Sequence, residues 1–287
     1  MVLGIILFAY VLLNIKIEEI TYSFNVLGLN ILILCLIVII ELVIKSIRFK
    51  FLISKIVNVS FKNIFKIILE TALFVVYSPG RLGEIMKLDL LKQYGVKRTD
   101  SLAVLIVERV SDLIVITLFS LGIIFSFQLN FYPIIIVLVL ILGFMIIFYK
   151  KNIFRNIIKQ VFIAIKKIGN KQTILVICLT TPILWLMDAF IPYYILKMLG
   201  YNIGFQTVLF LYYAGTIVGL ISMIPGGLGS FDFSFSFVLS TLTNVLKKDA
   251  IITIMITRIV AFIVCFIGIP LYFKDFKKMV SELSSHK

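Results

Sequence analysis

The sequence predicts an all-α integral membrane protein in which six transmembrane helices and two re-entrant helical hairpins form an inverted-topology repeat. Three observations lead to this prediction. Hydrophobic residues make up 61% of the 287 residues, and the mean hydropathy of +1.14 is far above that of a soluble domain. Two motifs of the form Pro-Gly-x-Leu-Gly lie 146 residues apart. The lysine and arginine residues, finally, are concentrated in four clusters.

The apolar runs of the chain set the predicted spans, because about 20 apolar residues cross a bilayer as a helix. The predicted spans are Met1–Ile15, Val26–Ile47, Leu102–Phe127, Phe131–Tyr149, Thr173–Leu196 and Ala250–Phe273. The first run is short, but it has neither the basic leader nor the cleavage site of a signal peptide, so we expect it to remain as a span. No polar stretch is long enough for a soluble domain, and we expect a single membrane unit.

The two Pro-Gly motifs interrupt apolar runs that begin at Phe61 and Phe205. Proline and glycine do not continue a helix, so each run is expected to break and return as a hairpin. Paired interruptions at matching places in two halves of a membrane protein are typical of a transport site near the middle of the bilayer.

The pairing of the two halves extends beyond the motifs. Glu41 lies 38 residues before the first motif proline, and Asp188 lies 37 residues before the second. Arg109 follows the first proline by 30 residues, and Arg258 follows the second by 33. This order predicts two membrane repeats, which we place at residues 1–130 and 131–287.

The basic residues predict the orientation of these repeats. Four clusters contain 22 of them, whereas the other loops contain four. The clusters are Lys45–Lys66, Arg81–Arg98, Lys150–Lys171 and Lys274–Lys287. Basic loops face the cytoplasm, so both termini are predicted inside the cell and the two hairpins enter from opposite sides. The net charge of +14 is therefore explained by basic loops that set the topology and contact anionic lipid. We expect no nucleic-acid partner.

The segment of the second repeat at residues 150–170 has apolar residues at helical spacing on one side and basic residues on the other. This pattern predicts an amphipathic helix that lies in the cytoplasmic interface. A plain connector fits the same pattern.

Several kinds of chemistry are excluded by the rare residue types. Cys35, Cys178 and Cys265 each lie in an apolar run and are expected to pack in the core. The single histidine is His286, close to the end of the sequence. We therefore expect no metal site, no catalytic triad and no cofactor, and the absence of a Walker motif argues against an ATP-driven pump.

Charged residues inside the apolar runs are the candidate site, because a charge at membrane depth costs roughly 2.5–3.5 kcal/mol and usually serves a function. Glu108 and Asp112 are one helical turn apart, with Arg109 turned about 100° away. They either bind substrate or form an internal ion-pair network. Arg258 has no acid within four residues, so Asp188 and Asp232 are its expected protein partners.

Two further groups have both a functional and a structural interpretation. Glu41, Lys45 and Arg48 fall on one helix face and are expected to pair with one another. Arg81 and Glu84 lie at the first hairpin tip, where a guanidinium beside free backbone N–H groups suits a phosphate or a carboxylate. The motif glycines either admit a head group close to the backbone or allow tight helix packing.

These motifs resemble those of a flippase-like membrane family that includes the transmembrane region of lysylphosphatidylglycerol synthase. The matching stretches are residues 79–84, 108–112 and 225–229, although Asp232 stands where the family usually has Glu. The resemblance implies a polytopic protein that handles phospholipid head groups or lipid-linked substrates between leaflets. Bifunctional relatives add a soluble aminoacyl-transferase domain. Since 14 residues follow Phe273, we expect no such domain and no synthase activity.

The sequence therefore leads us to expect a lipid translocator of the cell membrane that moves an anionic or zwitterionic polar lipid, with membrane phospholipids as its partners. The residues expected to bind the head-group phosphate are Arg81, Arg109 and Arg258. The acids expected to position these arginines or to meet a cationic head group are Glu84, Glu108, Asp112, Asp188 and Asp232. The residues expected to form the hairpin gates are Pro79, Gly80, Gly83, Pro225, Gly226, Gly227 and Gly229.

Three other functions fit the same residues. A transporter of small anionic solutes would use the same charges. A non-transporting subunit would dock a separate lipid-modifying or glycosyl-transferring enzyme, and an oligomer is compatible with either function. An intrinsic membrane enzyme is the third, but we expect no enzyme because no nucleophile and base fall together.

Overall fold

The computed structural model describes residues 17–127, 168–222 and 224–273, together with four single positions between 159 and 166. Every regular element in these ranges is helical and none is a strand, which confirms the all-α prediction. The predicted spans Met1–Ile15 and Phe131–Tyr149 lie outside the described residues, as does most of the interfacial helix predicted at 150–170.

Within residues 17–127, the first half contains five α-helices and one 3₁₀ segment. They are α1 (Ile17–Leu27), α2 (Asn30–Ile53), α3 (Phe61–Tyr77), the 3₁₀ segment Pro79–Glu84, α4 (Ile85–Lys92) and α5 (Arg98–Phe127). The 3₁₀ segment, which we call the first break, falls at the predicted interruption. Glu18 and Glu19, which fall between the first two predicted spans, lie in the first turn of α1.

The second half repeats the pattern of helix, break and helix. Its elements are α6 (Lys171–Met198), α7 (Phe205–Ile221), the 3₁₀ turn Pro225–Gly227, α8 (Ser230–Leu242) and α9 (Lys247–Phe266). We call the 3₁₀ turn together with Leu228 and Gly229 the second break. The side chain of Asn170 caps α6 by accepting a hydrogen bond from the backbone N–H of Thr173 at 2.8 Å.

Three helices among the described residues are long and apolar enough to cross a membrane: Asn30–Ile53, Lys171–Met198 and Lys247–Phe273. They contain most of three predicted spans. The predicted span Leu102–Phe127 falls in α5, whose apolar run is interrupted by three charges near its middle. A membrane protein is therefore supported, while the total of six spans and the re-entrant course of the hairpins stay predictions.

The two halves pack closely against each other. Helix α5 lies along α7, where the rings of Phe119 and Tyr213 are 5.6 Å apart. Helix α2 lies along α6, and the hydroxyl group of Tyr194 donates to Asn30 Oδ1 at 2.8 Å. One buried apolar cluster centres on α2, α3 and α9, and a second centres on α6, α7 and α8.

The cysteines do not all pack in the core as predicted. Cys265 is buried and Cys35 is half-buried, but Cys178 is exposed on α6. Hydrophobicity shows that a segment is apolar, but a lipid-facing position is as apolar as a buried one, so composition does not separate the two.

Candidate functional site

A central cavity of about 280 Å³ lies between the two halves. Residues of α2, α3, α5, α6, α7 and α9 line it together with both breaks. Of the residues expected to bind substrate, those in the cavity wall are Glu84, Glu108, Arg109, Asp112, Asp188 and Arg258. Asp232 is buried directly behind Arg258. The side chains of Arg81, Pro79 and Gly80 are outside the part of the chain that the structure describes.

Arg48 is the most buried arginine of the cavity wall, with 3% of its side chain exposed. Its Nε donates to Glu108 Oε1 at 3.0 Å, and its terminal nitrogen donates to Asp112 Oδ1 at 3.0 Å. The same nitrogen donates to the hydroxyl of Thr181 at 3.1 Å. Arg48 therefore joins α2 to α5 and α6, and it leaves little surface for a ligand.

Asp112 has partners on three helices of the wall. Besides Arg48, the indole N–H of Trp185 donates to its Oδ1 at 3.1 Å. Its Oδ2 lies 2.8 Å from a terminal nitrogen of Arg109. The backbone carbonyl of Trp185 in turn accepts from the hydroxyl of Tyr213. This chain of contacts fixes Asp112 from both halves of the molecule.

Arg109 connects the first break to α5. Its Nε lies 3.0 Å from Glu84 Oε2, but the N–H does not point at the carboxylate, so this contact is an ion pair without a hydrogen bond. The other oxygen of Glu84 is 4.0 Å from the ammonium group of Lys87. Because 28% of the Arg109 side chain is exposed, this guanidinium is accessible to a molecule in the cavity.

Arg258 connects the second break to α9. Its Nε donates to Asp232 Oδ1 at 2.6 Å, and a terminal nitrogen donates to the carbonyl of Gly226 at 3.0 Å. The remaining oxygen of Asp232 accepts from the backbone N–H of Gly229 at 2.8 Å, at the start of α8. The pairing of Arg258 with Asp232 is thus confirmed, and 18% of the arginine side chain is exposed.

The break glycines serve two different purposes. A Cβ atom at Gly83 would lie 2.3 Å from the carbonyl oxygen of Phe74, so the first break needs glycine to pack against α3. In the second break, Gly226, Gly227 and Gly229 have φ angles of 62°, 62° and 79°, which residues with a Cβ rarely adopt. The first case agrees with the packing interpretation of these glycines, and the second is a requirement of the turn itself.

Sequence reasoning missed part of the cavity wall. Lys45 does pair with Glu41, at 3.1 Å, as predicted. Arg48 does not join them, because it pairs across the helix interface with α5. A signal was present: Glu108 and Asp112 share a helix face, and the only basic residue near them on that helix, Arg109, is spaced to pair with Asp112 and not with Glu108. Trp185 and Lys87, also in the wall, had no such signal.

The arrangement can bind a polar anionic group. Five basic side chains and five carboxylates of the described residues line the cavity, so its charges are nearly balanced. Guanidinium groups bind phosphate through two parallel N–H donors. Among the described residues, no group of three His, Cys, Asp or Glu side chains is placed to hold a metal ion.

Comparison with known proteins adds one finding. A family model described as the lysylphosphatidylglycerol synthase TM region matches residues 1–268, a range that includes both breaks and the whole cavity wall. The resemblance predicted from the motifs is thereby confirmed. No curated protein and no solved structure matches the chain at a significant level.

Proposed function

This chain belongs to the lysylphosphatidylglycerol synthase TM-region family, a family of membrane proteins related to lipid metabolism, and from that premise we propose that it moves a polar lipid between membrane leaflets. The substrate is a phospholipid or a lipid-linked molecule with an anionic or zwitterionic head group. The protein acts as a transporter in the cell membrane and not as an enzyme.

One observation carries this proposal: two partly exposed arginines, each paired with an acid next to a chain break, line one cavity. Arg109 pairs with Glu84 of the first break, and Arg258 pairs with Asp232 just after the second. Arg48, which is buried in ion pairs with Glu108 and Asp112, is an arginine with a structural role and provides the comparison. All three arginines line the cavity, but Arg109 and Arg258 differ from Arg48 in having 28% and 18% of their side chains exposed.

The ion pairs suggest how binding moves the gates. A head-group phosphate that takes up the N–H donors of Arg109 displaces Glu84, and one that takes up those of Arg258 displaces Asp232. Since each acid lies at a break, its release frees that break from the long helix that carries the arginine. Alternate release of the two breaks would open the cavity first to one leaflet and then to the other.

The proposal includes the inverted topology, with two re-entrant hairpins, six spans and both termini in the cytoplasm. The four basic clusters support it, as does the recurrence of the same ion pair in both halves. Lys92→Cys and Lys248→Cys test it, because both positions are exposed. An impermeant thiol reagent should label Lys248→Cys only from outside the cell and Lys92→Cys only from the cytoplasm. Labelling of both from one side contradicts the inverted repeat.

A transporter of small free anions is the main alternative. The near balance of charge in the cavity wall disfavours it, because a site for a free anion gains affinity and association rate from a surplus of positive charge. The apolar chains of a lipid, in contrast, remain in the membrane. Their hydrophobic partitioning from water into the bilayer contributes to keeping the lipid near the site.

Reconstitution tests the function directly. Purified protein is placed in vesicles that contain fluorescent phospholipids of different head groups, and an impermeant reductant quenches the label in the outer leaflet. We expect exchange between leaflets to be faster than in protein-free vesicles. Arg258→Ala should slow it about tenfold or more, because a hydrogen bond to a charged group contributes about 1.5–3 kcal/mol.

Lys248→Ala is the matched control, since this lysine is exposed and lies outside the cavity. Exchange no faster than in protein-free vesicles would contradict the translocator. Efflux of entrapped phosphate or sulfate without lipid exchange would favour the small-anion transporter.

A further inference from the structure

Lys45 is a basic residue of the cavity wall without a role in the ion pairs that hold the two breaks. It lies on α2, lines the central cavity and has 35% of its side chain exposed. This fraction is larger than the fractions for Arg109 and Arg258, the two arginines of the proposed site. A molecule in the cavity can therefore contact the ammonium group of Lys45 directly.

Lys45 also has N–H donors that the protein does not use. An ammonium group has three such donors, and the only hydrogen-bond or ion-pair partner of Lys45 among the described residues is Glu41, whose Oε2 lies 3.1 Å from Nζ. Lys87, a second lysine of the wall, differs in being enclosed by protein. Its ammonium group lies 4.0 Å from the carboxylate of Glu84 and 5.4 Å from the ring centre of Phe49. Lys45 thus keeps two donors for a ligand.

The surroundings of Lys45 separate it from Arg258 within the same cavity. Helix α2 packs against α9, and the charges of Lys45 and Glu41 both act on the thiol group of Cys265, so these side chains are neighbours. Cys265 and Arg258 both lie on α9 and line the cavity. Seven residues separate them, which is about 10 Å along the helix on nearly the same face. Lys45 and Arg258 therefore occupy two positions along the cavity.

The carboxylates of the wall are less accessible than these cations. The wall that the structure describes contains five basic groups and five carboxylates, so its total charge is balanced. Asp188 is half-buried, and the other four carboxylates are almost fully buried: Glu41, Glu84, Glu108 and Asp112. A ligand therefore meets mainly the donors of Lys45, Arg109 and Arg258, which suits an anionic group.

We propose that Lys45 forms a second phosphate-binding subsite of the central cavity. Two of its N–H groups donate to phosphate oxygens, while the third stays on Glu41. This inference rests on the proposed function in that the phosphate belongs to a lipid head group, which contacts Lys45 at one position along the cavity and Arg258 at the other. Free phosphate has the same oxygens, so the experiment compares both sources.

Pyridoxal 5′-phosphate tests the subsite on purified protein, because it carries both a phosphate and an aldehyde. The aldehyde condenses with a lysine amine to give an imine and water, and borohydride reduces the imine to a stable amine that mass spectrometry locates. We expect a label on Lys45 and none on the enclosed Lys87. Inorganic phosphate added before the probe should remove the label from Lys45. The absence of this label, or a label that phosphate does not reduce, overturns the subsite.

Lys66 is the matched control for the label. It also forms an ion pair with a buried glutamate four residues away, Glu70, and has 36% of its side chain exposed, but it is not part of the cavity wall. Its label should be the same with and without phosphate.

The lipid source is tested in vesicles. Phosphatidylglycerol vesicles should protect Lys45 without added phosphate, whereas vesicles of an uncharged galactolipid should not. The ratio of the Lys45 label to the Lys66 label corrects for the charge of the membrane surface. Protection by inorganic phosphate but not by phosphatidylglycerol overturns the lipid head group as the occupant.

Three variants supply a second measurement, the affinity of the purified protein for inorganic phosphate by calorimetry. Lys45→Gln should weaken binding about tenfold, because it removes a hydrogen bond to a charged group. Lys45→Arg keeps the charge and should bind as the wild type does, and Lys66→Gln, which breaks the corresponding ion pair on α3, should leave binding unchanged. Unchanged binding in Lys45→Gln would mean that Lys45 only pairs with Glu41, and it overturns the proposal. Lipid exchange enters none of these readouts, so failure here is distinct from failure of the proposed function.

Discussion

Each break is joined to a long helix by an ion pair between an arginine and a carboxylate, but the two ion pairs differ in how many other contacts support them. At the first break, Arg109 pairs with Glu84 and also with Asp112, which Arg48 and Trp185 hold in place. At the second, Arg258 pairs with Asp232 and otherwise donates to a backbone carbonyl of the break. The first break is therefore tied to a network that spans α2, α5 and α6, whereas Arg258 holds the second through Asp232, the carbonyl of Gly226 and a cation–π contact with the ring of Phe231.

The repeat offsets show that this network has no counterpart in the second half. Ile195 lies as far after Asp188 as Arg48 lies after Glu41. Ala261 lies as far after Arg258 as Asp112 lies after Arg109. Neither residue is charged. The motifs therefore recur at nearly equal spacing, although the ion pairs that hold the two breaks have different numbers of supporting contacts. We expect the second break to be released more easily than the first.

The largest expected effect comes from the network. Arg48→Ala leaves Asp112 and Glu108 buried without their shared partner, so it should destabilise the protein by about 3–5 kcal/mol. Trp185, the only tryptophan, contacts Asp112 and reports unfolding by its fluorescence. Lys50→Ala on the same helix is the control and should stay within about 0.5 kcal/mol of the wild type. Equal melting of the two variants would show that the network does not brace the first half.

The second effect concerns the single pair of the second break. Arg258→Ala should destabilise the protein by about 2–3 kcal/mol, because Asp232 then keeps only its backbone donor. Adding Asp232→Asn removes the unpaired charge and should restore most of the stability, while lipid exchange stays slow. Arg258→Lys should give intermediate exchange, since an ammonium lacks the planar fork of donors. Recovery of exchange together with stability in the double variant would mean that Arg258 only holds the fold.

The smallest effect is expected at the first break. Arg109→Ala should destabilise the protein by about 1 kcal/mol, since Asp112 keeps Arg48 and Glu84 keeps Lys87 near it. Comparing the loss of stability in this variant with the loss in Arg258→Ala, both by thermal unfolding, measures how far the additional contacts support the first break. A loss at Arg109 as large as the loss at Arg258 would remove the contrast between the two breaks.

The sequence predicted the parts of this picture that depend on order and composition. Proline and glycine predicted the position of both breaks. The absence of a local partner for Arg258 predicted a pair with Asp188 and Asp232, of which the pair with Asp232 is confirmed. The sequence did not predict that Arg48 would turn toward α5, because spacing along one helix does not show which neighbour that face meets. The exposure of Cys178 was missed for a related reason: lipid-facing and buried positions have the same composition.

Arg48 also constrains the order in which the protein is assembled during synthesis. Glu108 and Asp112 are made 60 and 64 residues after it, and Thr181 follows by 133 residues. Until α5 is made, Arg48 lacks the two carboxylates that it pairs with in the folded protein, so we expect α2 to enter the bilayer because of its apolar residues. The network is complete only after α6 has been made, because Thr181 supplies its last contact with Arg48.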